Sequence, residues 1–321
     1  MPTKPPRLEP GQTIAIVAPS SPLADEGNLQ RAVKKLHALG FKTLLGKNVS
    51  QRRGFLAGSD RERAGDLMRA FTNPRVHAIL CVRGGHGATR LLPLLDYEVI
   101  AANPKIFVGY SDVTALHCAL RQRANLVTFH GPMLNADFVT NDFPPFVRDS
   151  FLRTLTQAAP AGGIRGAVKG VSILRRGVAR GELLGGNLTV LCSLLGTPWQ
   201  PDFRRKIIFL EEVNEAPYRV DRLLTQLLNA GLLQQAAGIA IGQCAGCVDA
   251  TAGKAREFRQ TLDDVLRERL LPLKIPVVTG LPFGHVRDNA TLPFGVRATL
   301  DARQGDLVIE AAAVTAKLRR R

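Results

Sequence analysis

The residues of this sequence that could carry covalent chemistry are a serine at a strand-to-helix junction, six histidines and an acidic pair at a strand end. Ser111 stands in Gly109-Tyr110-Ser111-Asp112-Val113, behind the apolar run Lys105 to Tyr110 and ahead of the helical Ala115 to Arg123. At such a junction the amide groups and dipole of the following helix favour negative charge on the side chain, which suits a nucleophile. The pattern resembles a nucleophile elbow that lacks its second glycine. The plainer use of Ser111 or Asp112 there is as a helix N-cap.

A serine nucleophile requires a base. His37 falls in the polar run of an early helix and His77 inside a strand, while His117 comes six residues after Ser111 on the next helix, turned away from it. His86, His130 and His285 all lie beside glycine in loop-like contexts, and spacing does not choose among them. The base in turn needs a carboxylate to hold its tautomer. Phe209-Leu210-Glu211-Glu212 offers two at the end of an apolar strand, and because successive strand side chains face opposite ways only one of Glu211 and Glu212 can serve a given site. Gly84-Gly85 after an apolar run is too short for a dinucleotide fingerprint. The Gly85 N–H could supply half of an oxyanion hole, with the Asp112 N–H as the other half. A tight turn needing positive φ explains the glycines equally well.

The elements that must position these residues alternate short apolar runs with helical patterns in the first half of the chain, which predicts a parallel sheet covered by helices. Thr13 to Ala18 and Val76 to Val82 read as buried strands; Asp25 to Leu39 reads as a helix, and Ser59-Asp60-Arg61-Glu62 as a capping box opening another. In such sheets ligands bind beyond the carboxyl ends of the strands, where Gly84-Gly85 and Ser111 stand. Residues 157–170, rich in Ala, Gly and Pro, read as a connection. The expected organisation is an N-terminal α/β domain over 1–160, a linker over 161–180 and a second domain over 181–321. The second domain has strands at 207–212, 239–241 and 276–281, helices at 218–230 and 262–270, and a terminal hairpin from 297–300 and 306–310.

The chain has 321 residues, 45% of them hydrophobic and 22% charged, with 43 Lys+Arg against 27 Asp+Glu and a net charge of +16. That excludes extended disorder and allows two domains. The basic residues are scattered apart from small clusters such as 204–206 and 317–321, and aromatic content is 6%, so the charge lacks the stripe and stacking residues of a nucleic-acid footprint. The N-terminal stretch has no apolar segment behind its basic residues, and no run approaches the 18 apolar residues of a membrane helix, so a cytoplasmic protein without a membrane partner is expected. Five cysteines, an odd number, argue against a disulfide framework. Cys244-Ala245-Gly246-Cys247 is a lone C-x-x-C without the further ligands zinc needs, so no metal and no cofactor are expected.

Taken together these segments resemble the LD-carboxypeptidase family, the muramoyltetrapeptide carboxypeptidases, serine peptidases that also include the microcin C immunity proteins. The matching pieces begin with Ile16-Val17-Ala18-Pro19-Ser20-Ser21-Pro22, Arg83-Gly84-Gly85-His86-Gly87, Gly109-Tyr110-Ser111-Asp112-Val113-Thr114 and His130-Gly131-Pro132. Further on come Gly185-Gly186-Asn187-Leu188, Gly196-Thr197-Pro198-Trp199, the run Leu210 to Arg222, and Gly280-Leu281-Pro282-Phe283-Gly284-His285. The resemblance implies Ser111 as nucleophile, His285 as general base and Glu211 as its orienter. It also implies a Rossmann- or flavodoxin-like N-terminal domain joined to a mostly β C-terminal domain, with the triad at their interface and a homodimer as the usual assembly. The implied reaction is hydrolysis of the bond between meso-diaminopimelate and D-Ala of a murein tetrapeptide; in the cytoplasm this would serve wall recycling. Arg83, His86 and Asn187 are the expected substrate contacts, with Arg83 meeting the terminal carboxylate. The sequence departs from the family pattern at His86, where the family usually has tyrosine. Two alternatives stand beside this reading: an immunity-type peptidase acting on a peptidyl or aminoacyl nucleotide, and a basic α/β binding protein without catalysis.

Overall fold

The computed structural model describes residues 1–316 apart from 24, 140–142, 167 and 249–259. The basic cluster at 317–321 lies outside the described residues. The chain divides into two compact units.

Unit one comprises Met1–Ala161, Asn289–Val296 and Ala311–Arg321. Its strands β1 (Thr13–Val17), β2 (Lys42–Leu45), β3 (Val76–Cys81), β4 (Ile106–Gly109) and β5 (Thr128–His130) pair in parallel in the order β5-β4-β3-β1-β2. β3 and β4 are near-continuous apolar runs because both sheet faces are covered. The helices are α1 (Glu26–Ala38), α2 (Asp60–Thr72), α3 (Tyr97–Ala102), α4 (Thr114–Arg123) and α5 (Pro145–Thr156). The capping box read from Ser59 and Glu62 opens α2: the Ser59 side chain accepts from the Glu62 amide and the Glu62 side chain accepts from the Ser59 amide.

Unit two comprises Gly162–Asp288 and Arg297–Glu310. It holds β6 (Gly162–Gly163), β7 (Ser172–Arg175), β8 (Val178–Asn187), β9 (Ile207–Glu211), β10 (Gly238–Gly242), β11 (Val277–Leu281), β13 (Arg297–Asp301) and β14 (Asp306–Ile309). They form one sheet in the order β6-β14-β13-β8-β9-β10-β11-β7. Among the described residues three α-helices accompany it: α6 (Leu188–Ser193), α7 (Pro217–Asn229) and α8 (Leu262–Leu270). The ten-residue β8 carries the sheet's change of direction. Its first half pairs antiparallel with β13 and its second half parallel with β9, ending in the register Asn187 opposite Glu211.

The architecture comprises the expected α/β unit and a mostly β one, with two corrections to the boundaries. Residues 161–180 are not a free linker: they supply β6 and β7, the two edge strands of the second sheet, and the start of β8. Two residues cannot show a period-2 pattern, and the four of β7 set Ile173 and Leu174 side by side instead of alternating apolar with polar. The C-terminal part also does not stay in the second unit. β12 (Leu292–Phe294) pairs antiparallel with β5, Leu292 opposite His130, and so completes the first sheet.

Candidate active site

Ser111 follows the last residues of β4 with φ of 63°, in the left-handed region that non-glycine residues avoid. Such a conformation costs on the order of 1–3 kcal/mol and survives only where the surroundings over-determine it. Those surroundings are visible. His117, fully buried in α4, has Nε2 2.8 Å from the Gly109 carbonyl oxygen and Nδ1 2.9 Å from Thr128 Oγ1. A carbonyl only accepts, so Nε2 carries the proton and Nδ1 accepts from the hydroxyl. Burial lowers the pKa of this histidine to about 4, which keeps it neutral. The Asp112 carboxylate is buried and accepts the Ala88 amide at 2.8 Å. Neither Ser111 nor Asp112 caps α4, whose N-cap position is held by Val113.

The turn after β3 packs against this elbow. An added Cβ on Gly84 would fall 2.7 Å from Ser111 Cβ and 3.3 Å from the Asp112 nitrogen. Gly85 has φ of 115°, and an added Cβ there would meet Ser21 Oγ at 2.2 Å. The same Ser21 hydroxyl accepts the His86 amide at 3.1 Å. Behind the turn lies Arg63, 1% exposed, which donates to the carbonyls of Pro19 and Gly87 and to Asp60. One side chain thereby joins the segments that follow β1 and β3. Ser21 and Arg63 are not among the expected site residues. An arginine on the inward face of a helical period was the available signal, since so long a cation is seldom buried unless it is paired. His86 is exposed, its ring edge-on to Phe55 at 5.4 Å between centroids. Arg83 is half-buried, and among the described residues no hydrogen bond or ion pair engages its guanidinium.

In unit two the adjacent carboxylates Glu211 and Glu212 meet different partners. Glu211, the last residue of β9, is 1% exposed, and its Oε2 lies 2.7 Å from His285 Nδ1. Its Oε1 is buried and has no hydrogen-bond partner among the described residues. Gly284 makes this approach possible, because an added Cβ there would fall 2.8 Å from Glu211 Cβ and 2.9 Å from Oε2. Glu212 faces the other way. Its carboxylate accepts from Asn187 Nδ2 at 3.0 Å, the Thr189 amide at 2.9 Å, the Thr189 hydroxyl at 2.7 Å and the Val213 amide at 3.0 Å. Asn187, expected as a substrate contact, is instead the buried N-cap of α6: its Oδ1 accepts the Val190 amide at 3.1 Å while its amide nitrogen donates to Glu212. The register that sets Asn187 beside Glu211 puts it next to the site without pointing it there. Of the remaining histidines, His130 is fully buried against Tyr110 at 5.6 Å between ring centroids, and His86 belongs to the turn in unit one.

The arrangement in unit two fixes a tautomer. With Nδ1–H donated to a buried carboxylate, Nε2 becomes the basic nitrogen, and an imidazolium formed there is stabilised by Glu211. Nearby, Cys244 and Cys247 are both free thiols on a turn closed by the Cys247 amide on the Cys244 carbonyl at 3.2 Å. A hydrogen bond from Cys244 lowers the Cys247 pKa and raises that of Cys244. Among the described residues no cluster of three or more His, Cys, Asp or Glu side chains could hold a metal ion. No helix among them is long and apolar enough to cross a membrane.

Comparison with known proteins covers most of the chain. Residues 14–131 match the model of the LD-carboxypeptidase N-terminal domain and residues 180–300 that of the LD-carboxypeptidase C-terminal domain. A probable murein peptide carboxypeptidase of Bacillus subtilis is 38% identical over 96% of this chain and 94% of its own length. The crystal structure of muramoyltetrapeptide carboxypeptidase from Oxalobacter formigenes superposes with a TM-score of 0.83 at 36% identity, covering 95% of this chain and all of that one. The structure of MccF in complex with glutamyl sulfamoyl guanosine gives 0.86 at 28% identity, covering 98% and 100%.

Proposed function

This chain belongs to the LD-carboxypeptidase family and is a serine-type carboxypeptidase; on that premise we propose that it removes the terminal D-Ala from murein tetrapeptides, with Ser111, His285 and Glu211 working as one triad. The observation that carries the reading is the 2.7 Å contact between His285 Nδ1 and a buried Glu211 carboxylate, which readies the other ring nitrogen as a base. Ser111 attacks the carbonyl of the diaminopimelate–D-Ala bond and His285 Nε2 takes its proton. The tetrahedral intermediate's oxyanion is received by the amides of Gly85 and Asp112. His285 then protonates the leaving D-Ala amine, and water releases the acyl-enzyme by the same sequence in reverse. The strained Ser111 backbone supports the nucleophile role, because a left-handed serine between strand and helix is the geometry of an elbow. Arg83, whose guanidinium has no partner among the described residues, grips the substrate's terminal carboxylate, and His86 lines the same approach.

The reaction needs no metal in this scheme. Five free cysteines fit a reducing compartment, so the enzyme trims recovered wall peptides in the cytoplasm. The proposed assembly is a homodimer, as the family resemblance implies. The test is mass spectrometry of L-Ala-γ-D-Glu-meso-Dap-D-Ala incubated with wild type and Ser111→Ala, with EDTA throughout. Loss of one alanine with wild type alone is the expected result. An intact tetrapeptide in both would sink the reading and turn attention to a peptidyl sulfamoyl nucleoside, in view of the likeness to MccF.

A further inference from the structure

At the amino ends of β1, β3 and β4, the opposite end of the sheet of unit one from Ser111, lies a cavity of about 470 Å³. Lys105, immediately ahead of β4, lines it together with His77, Arg7 and Glu9, among apolar walls that include Pro74 and Val76. Lys105 is only 8% exposed, and its ammonium donates to the Asn73 carbonyl oxygen. Among the described residues no carboxylate lies within ion-pair distance of it. Burial alone lowers its pKa to about 8, with no acidic neighbour raising it back. Glu9, the one acid of the lining, is already held by Arg7 at 3.1 and 2.9 Å. His77 accepts the Thr13 amide on Nδ1, and its pKa is lowered by burial first and by the charge of Lys105 second.

A buried ammonium without a counter-charge is an expensive arrangement that an anion would relieve. The size suits a small molecule, and the largely apolar walls suit one carrying hydrocarbon as well as charge. We propose that this cavity is a second ligand site, taking a small organic carboxylate whose oxygens meet Lys105 Nζ and whose apolar body lies against Val76 and Pro74. The site shares no residue with the peptidase machinery and stands whether or not the murein substrate is right.

The test is isothermal titration of the full chain with sodium butyrate and, separately, with sodium phosphate at pH 7. Butyrate is expected to bind one per chain and more tightly than phosphate. Lys105→Gln, which keeps a donor for the Asn73 carbonyl, is expected to weaken butyrate at least tenfold while the peptidase rate stays at the wild-type level. Lys105→Arg is expected to retain binding. Ala102→Leu, which fills the cavity from the end of α3 and leaves Lys105 in place, is expected to abolish it and keeps the test available if the lysine variant does not fold. No butyrate binding by wild type, undiminished binding by Lys105→Gln or Ala102→Leu, or binding of phosphate alone would each overturn the proposal.

Discussion

Gly84 and Ser111 touch at a range that leaves no room for a methyl group, since an added Cβ on the glycine would sit 2.7 Å from the serine's Cβ and 2.9 Å from its Oγ. The φ of Gly84 is not in the left-handed region, so the requirement is steric rather than conformational. Gly84→Ala is therefore expected to push the serine out of place and lower kcat by roughly 100-fold, since displacements near 1 Å are felt at that scale. Steady-state kinetics on the tetrapeptide with a parallel melting curve checks this. A variant that keeps the wild-type kcat would show that the contact does not position the serine.

Glu211 and Glu212 are adjacent in sequence and turned to different partners, so conservative changes should separate them. Glu211→Gln cannot satisfy both ends of its amide: with the oxygen toward His285, the NH2 falls where Oε1 is buried without a partner. Turned around, it favours the wrong tautomer of the histidine, and kcat is expected to fall roughly 10²- to 10⁴-fold with the fold intact. Glu212→Gln sets a donor among four donors and is expected to destabilise the protein by about 2–4 kcal/mol. Urea denaturation and kinetics on the two variants should give these opposite patterns. Equal loss of activity from both would count against a specific role for Glu211.

The pH dependence of stability should carry the mark of His117. Its folded pKa of about 4 lies below the ordinary value of 6.5, so the unfolded chain binds the proton more readily. The contribution is complete above about pH 6.5 and is lost as pH falls through about 4, amounting to on the order of 3 kcal/mol. Chemical denaturation at pH 7, 5.5 and 4 measures it. NMR titration that found this ring charged near pH 6 in the folded protein would refute the assignment.

Arg63→Met should act at a distance from any substrate. It leaves Asp60 paired with Arg90 at 2.8 Å but strips the Pro19 and Gly87 carbonyls of their shared donor. A loss of about 3 kcal/mol is expected, with faster amide exchange over residues 84–88 and reduced kcat from a looser turn. Hydrogen exchange showing that turn unchanged would place its support elsewhere.

Local patterns were readable where one period or one cap decides the matter. The helix at 262–270 and the hairpin from 297–300 and 306–310 appear where apolar spacing and turn residues put them, and the Ser59–Glu62 box opens α2. The site was readable only as a set of candidates. Strand alternation says that Glu211 and Glu212 part company, but which of them meets a histidine depends on Gly284, 73 residues downstream of Glu211. Which histidine meets Glu211 likewise turns on a contact between distant segments rather than on neighbours in sequence. Arg63 and the return of β12 escaped notice because each acts through contacts between distant segments. A three-residue strand on a sheet edge has too few positions to show any period.

That returning strand also sets an order of events during synthesis. The first sheet ends at β5 until residues 292–294 are made, so its edge waits through some 160 further residues, roughly 10 to 30 seconds of elongation. During that interval an unpaired strand edge is open to other chains in the cell. The nascent N-terminal half is accordingly the form most in need of a chaperone. A gene split after residue 161 would strand that half permanently with its edge bare. No single cut in the chain yields two complete sheets.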